Sequence, residues 1–259
     1  MKLLSSLFNR SSGPKKGWNG ALCQPEVPVQ IIGDLHGCID ALDGLSNALD
    51  PDIQVVCVGD YVDRGEASAQ VLSALMAKTS QASLPWVCLR GNHEEMLINF
   101  MDDPAQNGRR WLRHGGLQTL ASFRVSGVTE TSGETALRAA RDALRSAMPD
   151  GMEGWLRRLP LTWNSGNLWV VHAAADPERE MTDQEPETLV WGDSAFLRAP
   201  RSDGNWVAHG HTVVDVPSAA EGRIAVDTGA YFTGNLTAAL CKPDGNISFL
   251  RNERRTKGH

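Results

Sequence analysis

Short apolar runs rich in valine and isoleucine alternate along the chain with longer stretches in which apolar residues recur every three or four positions. Residues 27–32 (Val-Pro-Val-Gln-Ile-Ile) end in Gly33 and Asp34, which predicts a buried strand delivering a polar loop. Residues 41–49 then carry helical spacing, and Pro51 with Asp52 marks the next turn. The same unit recurs twice. Residues 53–58 predict a strand running into Gly59 and Asp60, and residues 68–79 set Val71, Leu72, Leu75 and Met76 on one helical face. Residues 86–89 predict a third strand, followed by Arg90, Gly91, Asn92, His93 and Glu94 and then by helix over 96–101.

Three strand–loop–helix units in succession imply an α/β chain with a largely parallel or mixed sheet. Its loops gather at the carboxyl ends of the strands, where open α/β sheets bind ligands. Periodicity weakens over 102–165, with a glycine-rich break at Gly108, Gly115 and Gly116 and a helix predicted over 134–148. That stretch is expected to be a largely helical insertion over the pocket. Strand signals return at 168–171, 206–208 and 224–226, each followed by histidine or aspartate, and residues 236–241 and 247–250 predict a closing hairpin around Pro243–Asn246. The expected organisation is one domain over 27–250, a flexible lead-in at 1–26 and a polar tail at 251–259, with no internal repeat.

Composition narrows the function classes. A chain of 259 residues, 41% of them hydrophobic, can bury a sizeable core. Its formal charge of -6 provides no global attraction for nucleic acid or an anionic membrane, and the eight tryptophans are dispersed without a basic run around them. Cys23, Cys38, Cys57, Cys88 and Cys241 are odd in number and contain no CxxC pair, which argues against a disulfide framework or a thiolate zinc site. The apolar run at the start of the sequence stops at Phe8, too short for a membrane span. A cytoplasmic protein without membrane or nucleic-acid partners is expected; oligomeric state is not encoded in any pattern here.

The polar loops carry the chemistry. Asp34 and His36, between Gly33 and Gly37, are two residues apart and can aim at one ion. Asp60 opens Asp60-Tyr-Val-Asp63-Arg64-Gly65, and one carboxylate can hold two cations at the ~3.5 to 4 Å that two-metal hydrolysis uses. His172, and His209 with His211, follow later apolar segments and add imidazoles. An oxygen and nitrogen donor set without thiolate suits manganese, iron or zinc better than calcium. Uncompensated, so many buried polar groups would cost stability at several places at once.

With these motifs in this order, the sequence resembles the calcineurin-like metallophosphoesterases, most of all the bacterial branch of the phosphoprotein (serine/threonine) phosphatase family, from about Val29 to Cys241. The resemblance implies a four-layer αββα sandwich and two divalent ions, manganese foremost, with iron or zinc as alternatives. It assigns Asp34, His36 and Asp60 to one metal and Asp60, Asn92, His172 and His211 to the other, leaving His209 outside. It implies in-line attack on phosphorus by a hydroxide bridging the metals, with His93 protonating the leaving group and Asp63 orienting His93. Arg64 would bind the phosphate, Arg90 would add a contact or hold the rear of the pocket, and Arg198 is the candidate for a later phosphate-binding arginine. Glu94 is either a metal-site residue or a helix-start acid, and His114 either faces substrate or packs.

The expected activity is protein serine/threonine phosphatase, acting on a phosphorylated protein or a small phosphoester. Hydrolysis of dinucleoside polyphosphates or nucleotides is the first alternative, although those enzymes tend to carry glutamine at the position of His36. A metal-dependent phosphopeptide-binding module without catalysis is the second. A retained His93 weighs against it, because recognition alone needs no leaving-group acid.

Overall fold

Alternation along the strands splits the apolar residues between two cores. In β1 (Val29–Ile32), Val29 and Ile31 face one side and Ile32 the other; in β2 (Gln54–Cys57) and just beyond, Val56 and Val58 oppose Val55 and Cys57. Successive side chains of a strand point to opposite faces, so both faces of this sheet are covered. The computed structural model describes residues 17–81 and 83–252. The strand pattern alone points to one sheet; the described residues form two sheets of five strands each, as the four-layer resemblance implies.

The first sheet has the order β10-β9-β1-β2-β3, with β3 at Val87–Cys88, β9 at Thr237–Cys241 and β10 at Ile247–Arg251. β1, β2 and β3 are parallel, and the β9–β10 hairpin adds to β1 antiparallel. The second has the order β4-β5-β6-β8-β7, comprising β4 (Thr162–Ser165), β5 (Leu168–Val171), β6 (Trp206–His209), β7 (Ser218–Ala220) and β8 (Arg223–Ala225). Between the sheets lies an apolar layer that includes Val29, Ile31, Val56, Val58, Val170, Ala208 and Ile224. Gln30 is buried at the strand's start without cost, because its amide exchanges two 2.9 Å hydrogen bonds with the backbone of Asp50.

Helices cover both outer faces. α1 (Ile39–Ser46), α2 (Ser68–Thr79) and α3 (Asn92–Asp102) follow the first three strands and pack on the first sheet through Leu42, Leu45, Leu72, Leu75 and Leu97. Beyond α3 come α4 (Pro104–Trp111), a kinked turn at Leu112–Gly116, α5 (Leu117–Ser122), α6 (Glu134–Ala147) and α7 (Met152–Arg157), which join the same core. On the far face of the second sheet, α8 (Pro186–Trp191) and α9 (Ser194–Arg198) bury Leu189 and Phe196 against Val171 and Val207. The result is a helix–sheet–sheet–helix sandwich. β4 falls inside the stretch expected to be helical, because Thr-Trp-Asn-Ser lacks an apolar run and is held instead by antiparallel pairing with β5.

Of the lead-in expected at 1–26, residues 1–16 lie outside the described residues. From Gly17 onward it is pinned to the second sheet: Trp18 meets Trp206 edge-on at 5.4 Å, Gln24 N donates to Asn167 at 2.7 Å, and Trp206 Nε1 donates to Ala21 O at 2.9 Å. Of the polar tail expected at 251–259, Arg251 ends β10 and residues 253–259 lie outside the described residues. All five cysteines are free thiols, and no helix among the described residues is long and apolar enough to cross a membrane.

Candidate metal centre

Five strand ends converge on one place. Asp34 and His36 follow β1, Asp60, Asp63 and Arg64 follow β2, and Asn92, His93 and Glu94 open α3 after β3; His172 follows β5 and His211 follows β6. The backbone there is held in unusual states. Of the seven non-glycine residues with positive φ among those described, five belong to this site: His36, Asp60, Asp63, Arg64 and His211. Such conformations persist only where surrounding contacts over-determine them. Glu94 supplies much of that constraint. Its carboxylate, fully buried, accepts the amide protons of Asp60 (2.8 Å), Tyr61 (2.7 Å) and Gly91 (2.9 Å). Gly91 is required opposite, since a Cβ there would strike Asp60 Oδ1.

Asp60 divides its two oxygens between two imidazoles. Oδ2 lies 3.5 Å from His36 Nε2, and Oδ1 lies 3.4 Å from His172 Nε2. The other ring nitrogen of each histidine faces a backbone carbonyl, His36 Nδ1 at 2.9 Å from Val62 O and His172 Nδ1 at 3.1 Å from Val58 O. Burial pushes His36 down to about 3 and His172 down to about 4, so each ring is neutral near pH 7 and has one proton. That proton serves the carbonyl. Nε2 of each therefore turns a lone pair toward a carboxylate oxygen, and for His172 also toward Asn92 Oδ1 at 2.9 Å. Electron-pair donors converging without a proton between them fit cations, and a metal-binding histidine commonly anchors its second nitrogen on a carbonyl in this way.

Two groups of donor atoms meet this geometry, His36 with Asp60 and His93, and Asp60 with His172 and His211, the atoms of each lying within 4.8 Å of one another. Together they form a candidate binuclear centre sharing Asp60. His211 Nδ1 lies 3.0 Å from Asn92 Oδ1, which brings Asn92 into the second group. Asp34 stands just behind: its carboxylate accepts His211 N at 3.1 and 3.2 Å and is held well above its ordinary value by burial and by the charges of Asp227 and Asp60. Burial also pushes Asp227 up to about 6. A divalent cation nearby would relieve this crowding of carboxylates.

Within the first group, His93 also turns Nδ1 toward Asp63 Oδ2 at 2.7 Å, with both residues buried. Burial alone would lower the imidazole, but the charge of Asp60 and the bond to Asp63 outweigh it and hold His93 above its ordinary value. His93 Nε2 faces Arg64 Nη2 at 3.2 Å. Arg64 is exposed at the mouth, its guanidinium 4.9 Å over the ring of Tyr231, which in turn meets His36 edge-on at 5.3 Å. A cleft of about 470 Å³ opens between α3, α4 and α8, where Trp191 Nε1 donates to Glu95 at 2.9 Å and the guanidinium of Arg110 lies 4.6 Å over the Trp191 ring.

Other expected residues lie elsewhere. Arg90 turns to the insertion, donating to Arg157 O at 2.5 Å. Arg198 is exposed and donates to Ser194 Oγ on its own helix at 2.8 Å. His209 is buried against Phe196, its Nδ1 donating to Gly210 O at 3.0 Å. His114 is exposed on the kinked turn, bonded to Arg110 O at 2.7 Å. Sequence reasoning missed Trp111 and Thr119, which both touch Asp63. Their sole sequence signal is the Gly115-Gly116 break between them.

A buried pair of donor clusters at the strand ends of a helix–sheet–sheet–helix sandwich defines a binuclear metal-binding site of the kind metal-dependent phosphoesterases use. Residues 27–215 match the model of the calcineurin-like phosphoesterase family, and the chain belongs to that family. It is 26% identical over 239 residues to the asymmetrical bis(5'-nucleosyl)-tetraphosphatase PrpE of Oceanobacillus iheyensis, covering 82% of this chain and 88% of that protein. It is 23% identical over 223 residues to serine/threonine-protein phosphatase 2 of Salmonella typhimurium, covering 81% of this chain and 90% of that protein. The fold is shared with the crystal structure of a metallophosphoesterase from Sphaerobacter thermophilus, with a TM-score of 0.51, 17% identity and coverage of 88% and 89%.

Proposed function

We propose that the protein hydrolyses phosphate esters or anhydrides at this centre, and that its substrate is a dinucleoside polyphosphate in preference to a phosphoprotein. The chemistry rests on one observation: the two oxygens of Asp60 face two imidazoles, each of which has its remaining nitrogen on a backbone carbonyl. Asp34, His36, Asp60, Asn92, His172 and His211 would hold two divalent cations, manganese, iron or zinc. When bound, such a pair acidifies water and neutralises charge on the phosphoryl oxygens. Arg64, at the mouth, has the planar pair of donors that fits two phosphate oxygens. His93 donates from Nε2 to the departing oxygen while Asp63 keeps Nδ1 protonated and the ring in place.

The substrate class leans on the relatives. Alongside the Oceanobacillus protein, tetraphosphatases of the same description from Geobacillus and Bacillus subtilis align over 82% of the chain, at 28% and 25% identity. Three tetraphosphatases aligned over most of their length outweigh the argument from His36 together with the Salmonella phosphatase, which aligns as broadly. Serine/threonine phosphatase remains the second reading, favoured by the Salmonella relative. Manganese-loaded protein assayed against diadenosine tetraphosphate, phosphoserine and phosphothreonine peptides, and 4-nitrophenyl phosphate separates them. The proposal expects kcat/KM highest for the tetraphosphate; a higher value for phosphopeptides reverses the choice of substrate, and no hydrolysis with manganese, iron or zinc removes the enzyme reading.

A further inference from the structure

Asp63 is fully buried, and no lysine or arginine side chain among the described residues pairs with its carboxylate. Two neutral donors take that place. Trp111 Nε1 lies 3.0 Å from both Oδ1 and Oδ2, and Thr119 Oγ1 donates to Oδ1 at 2.7 Å. Thr119 Oγ1 also accepts the Asp63 amide at 2.9 Å and lies 3.2 Å from Ser68 Oγ; the shorter, charge-assisted contact directs its proton to the carboxylate. With Oδ1 held by Thr119 and the indole spanning the carboxylate edge, Oδ2 is left aimed at His93 Nδ1.

Trp111 and Thr119 are eight residues apart. In an uninterrupted α-helix that spacing separates them by about 12 Å along the axis, too far for both to reach one carboxylate. The kink brings them together. Gly115, at φ 107, breaks the helix between them, and its carbonyl accepts Arg64 N at 3.4 Å. A Cβ on Gly115 would collide with the Arg64 amide, so the turn is pressed directly against the Asp63–Arg64 backbone. Trp111 is itself fully buried, its ring 4.5 Å from Phe100 on α3, the helix that begins with Asn92 and His93.

We infer that Trp111 and Thr119 are positioning residues that, through Asp63, set the direction of the His93 ring. The helical insertion then governs the proton donor without touching substrate. Removing one donor frees the Asp63 carboxylate to rotate and loosens its bond to His93 Nδ1. That weakens His93 as a donor while leaving the candidate metal ligands in place. The inference rests on His93 being the proton donor proposed above.

The test is a leaving-group comparison on the full-length, metal-loaded protein. Phenyl phosphate leaves poorly and needs a proton; 4-nitrophenyl phosphate leaves well and needs it less. Trp111→Phe keeps an aromatic ring and deletes the N–H, and Thr119→Val keeps the shape while Ser68 Oγ, 3.1 Å away, still pairs the Asp63 amide. Each is expected to lower kcat on phenyl phosphate by about 10-fold or more, with a much smaller loss on 4-nitrophenyl phosphate and KM and metal content unchanged. A second readout needs no turnover: in metal-free protein the proton resonance of His93 Nδ1 should move upfield in both variants. Equal losses on the two esters with an unmoved resonance overturn the inference. His93→Asn, run in parallel, isolates the underlying reading. If it shows the leaving-group bias and the other two variants do not, only the positioning role fails; if it shows none, the proton-donor assignment fails and takes the positioning role with it.

Discussion

Glu94 reaches back from the first turn of α3 and takes the amide proton of Asp60 at 2.8 Å, fixing the backbone from which Asp60 offers its two oxygens. Burial and the Asp60 charge push Glu94 up to about 7, against the amides that favour its ionised form. Glu94→Gln replaces one acceptor oxygen by an amide that donates toward N–H groups, leaving a buried donor unsatisfied. A loss of about 1–3 kcal/mol in chemical denaturation is expected. Metal affinity in chelator competition should fall together with it, and a variant as stable as the parent would contradict this role.

Replacing the shared carboxylate should be felt in both clusters. Asp60→Asn keeps the shape but loses the charge that both His36 and His172 face. Metal analysis is expected to show neither site fully occupied, and an undiminished content of two ions per chain would refute the bridge.

His93→Asn separates binding from turnover. Metal content should be retained, while kcat on a phosphoserine peptide falls by about 10²-fold to 10⁴-fold. On diadenosine tetraphosphate, whose leaving group is a phosphate and needs less protonation, the loss should be smaller. Equal losses on the two substrates would count against proton donation by His93.

His209 offers a stability test away from turnover. Burial lowers it to about 4, while in the unfolded chain it titrates near its ordinary 6.5. Above pH 6.5 both states are neutral and the residue contributes no pH dependence. As pH falls from 6.5 toward 4 the unfolded chain takes up a proton that the folded chain refuses, so stability drops by roughly 3 kcal/mol over that window. His209→Gln should flatten the fall of the denaturation midpoint between those pH values. An unchanged slope would mean that the folded protein protonates His209 without penalty.

The strands and the donors were legible for one reason: each donor follows a short apolar run, so periodicity and motif pointed to the same loops. β1, β2 and β5 appear within a residue or two of their predicted ends. The division into two sheets came from the family resemblance and not from the apolar pattern, since pairing partners depend on which strand ends lie side by side, and apolar runs look alike on either side of the sandwich. β4 was hidden for the opposite reason, being a polar strand specified by its neighbour. Likewise Trp111 and Thr119 carry no periodic signal toward Asp63. Only the kink at Gly115 makes them neighbours, and a glycine in a sequence announces a break without saying what the break is for.

The centre draws Asp34, Asp60 and Asn92 from the first sheet and His172 and His211 from the second. During synthesis the amino-terminal half would emerge with Asp34, His36, Asp60 and Asn92 but without His172 and His211, and the second donor group would be complete only after the second sheet had docked. A cation held in that second group would bridge Asp60 and Asn92 of one sheet to His172 and His211 of the other, acting as a clasp across the two halves of the sandwich.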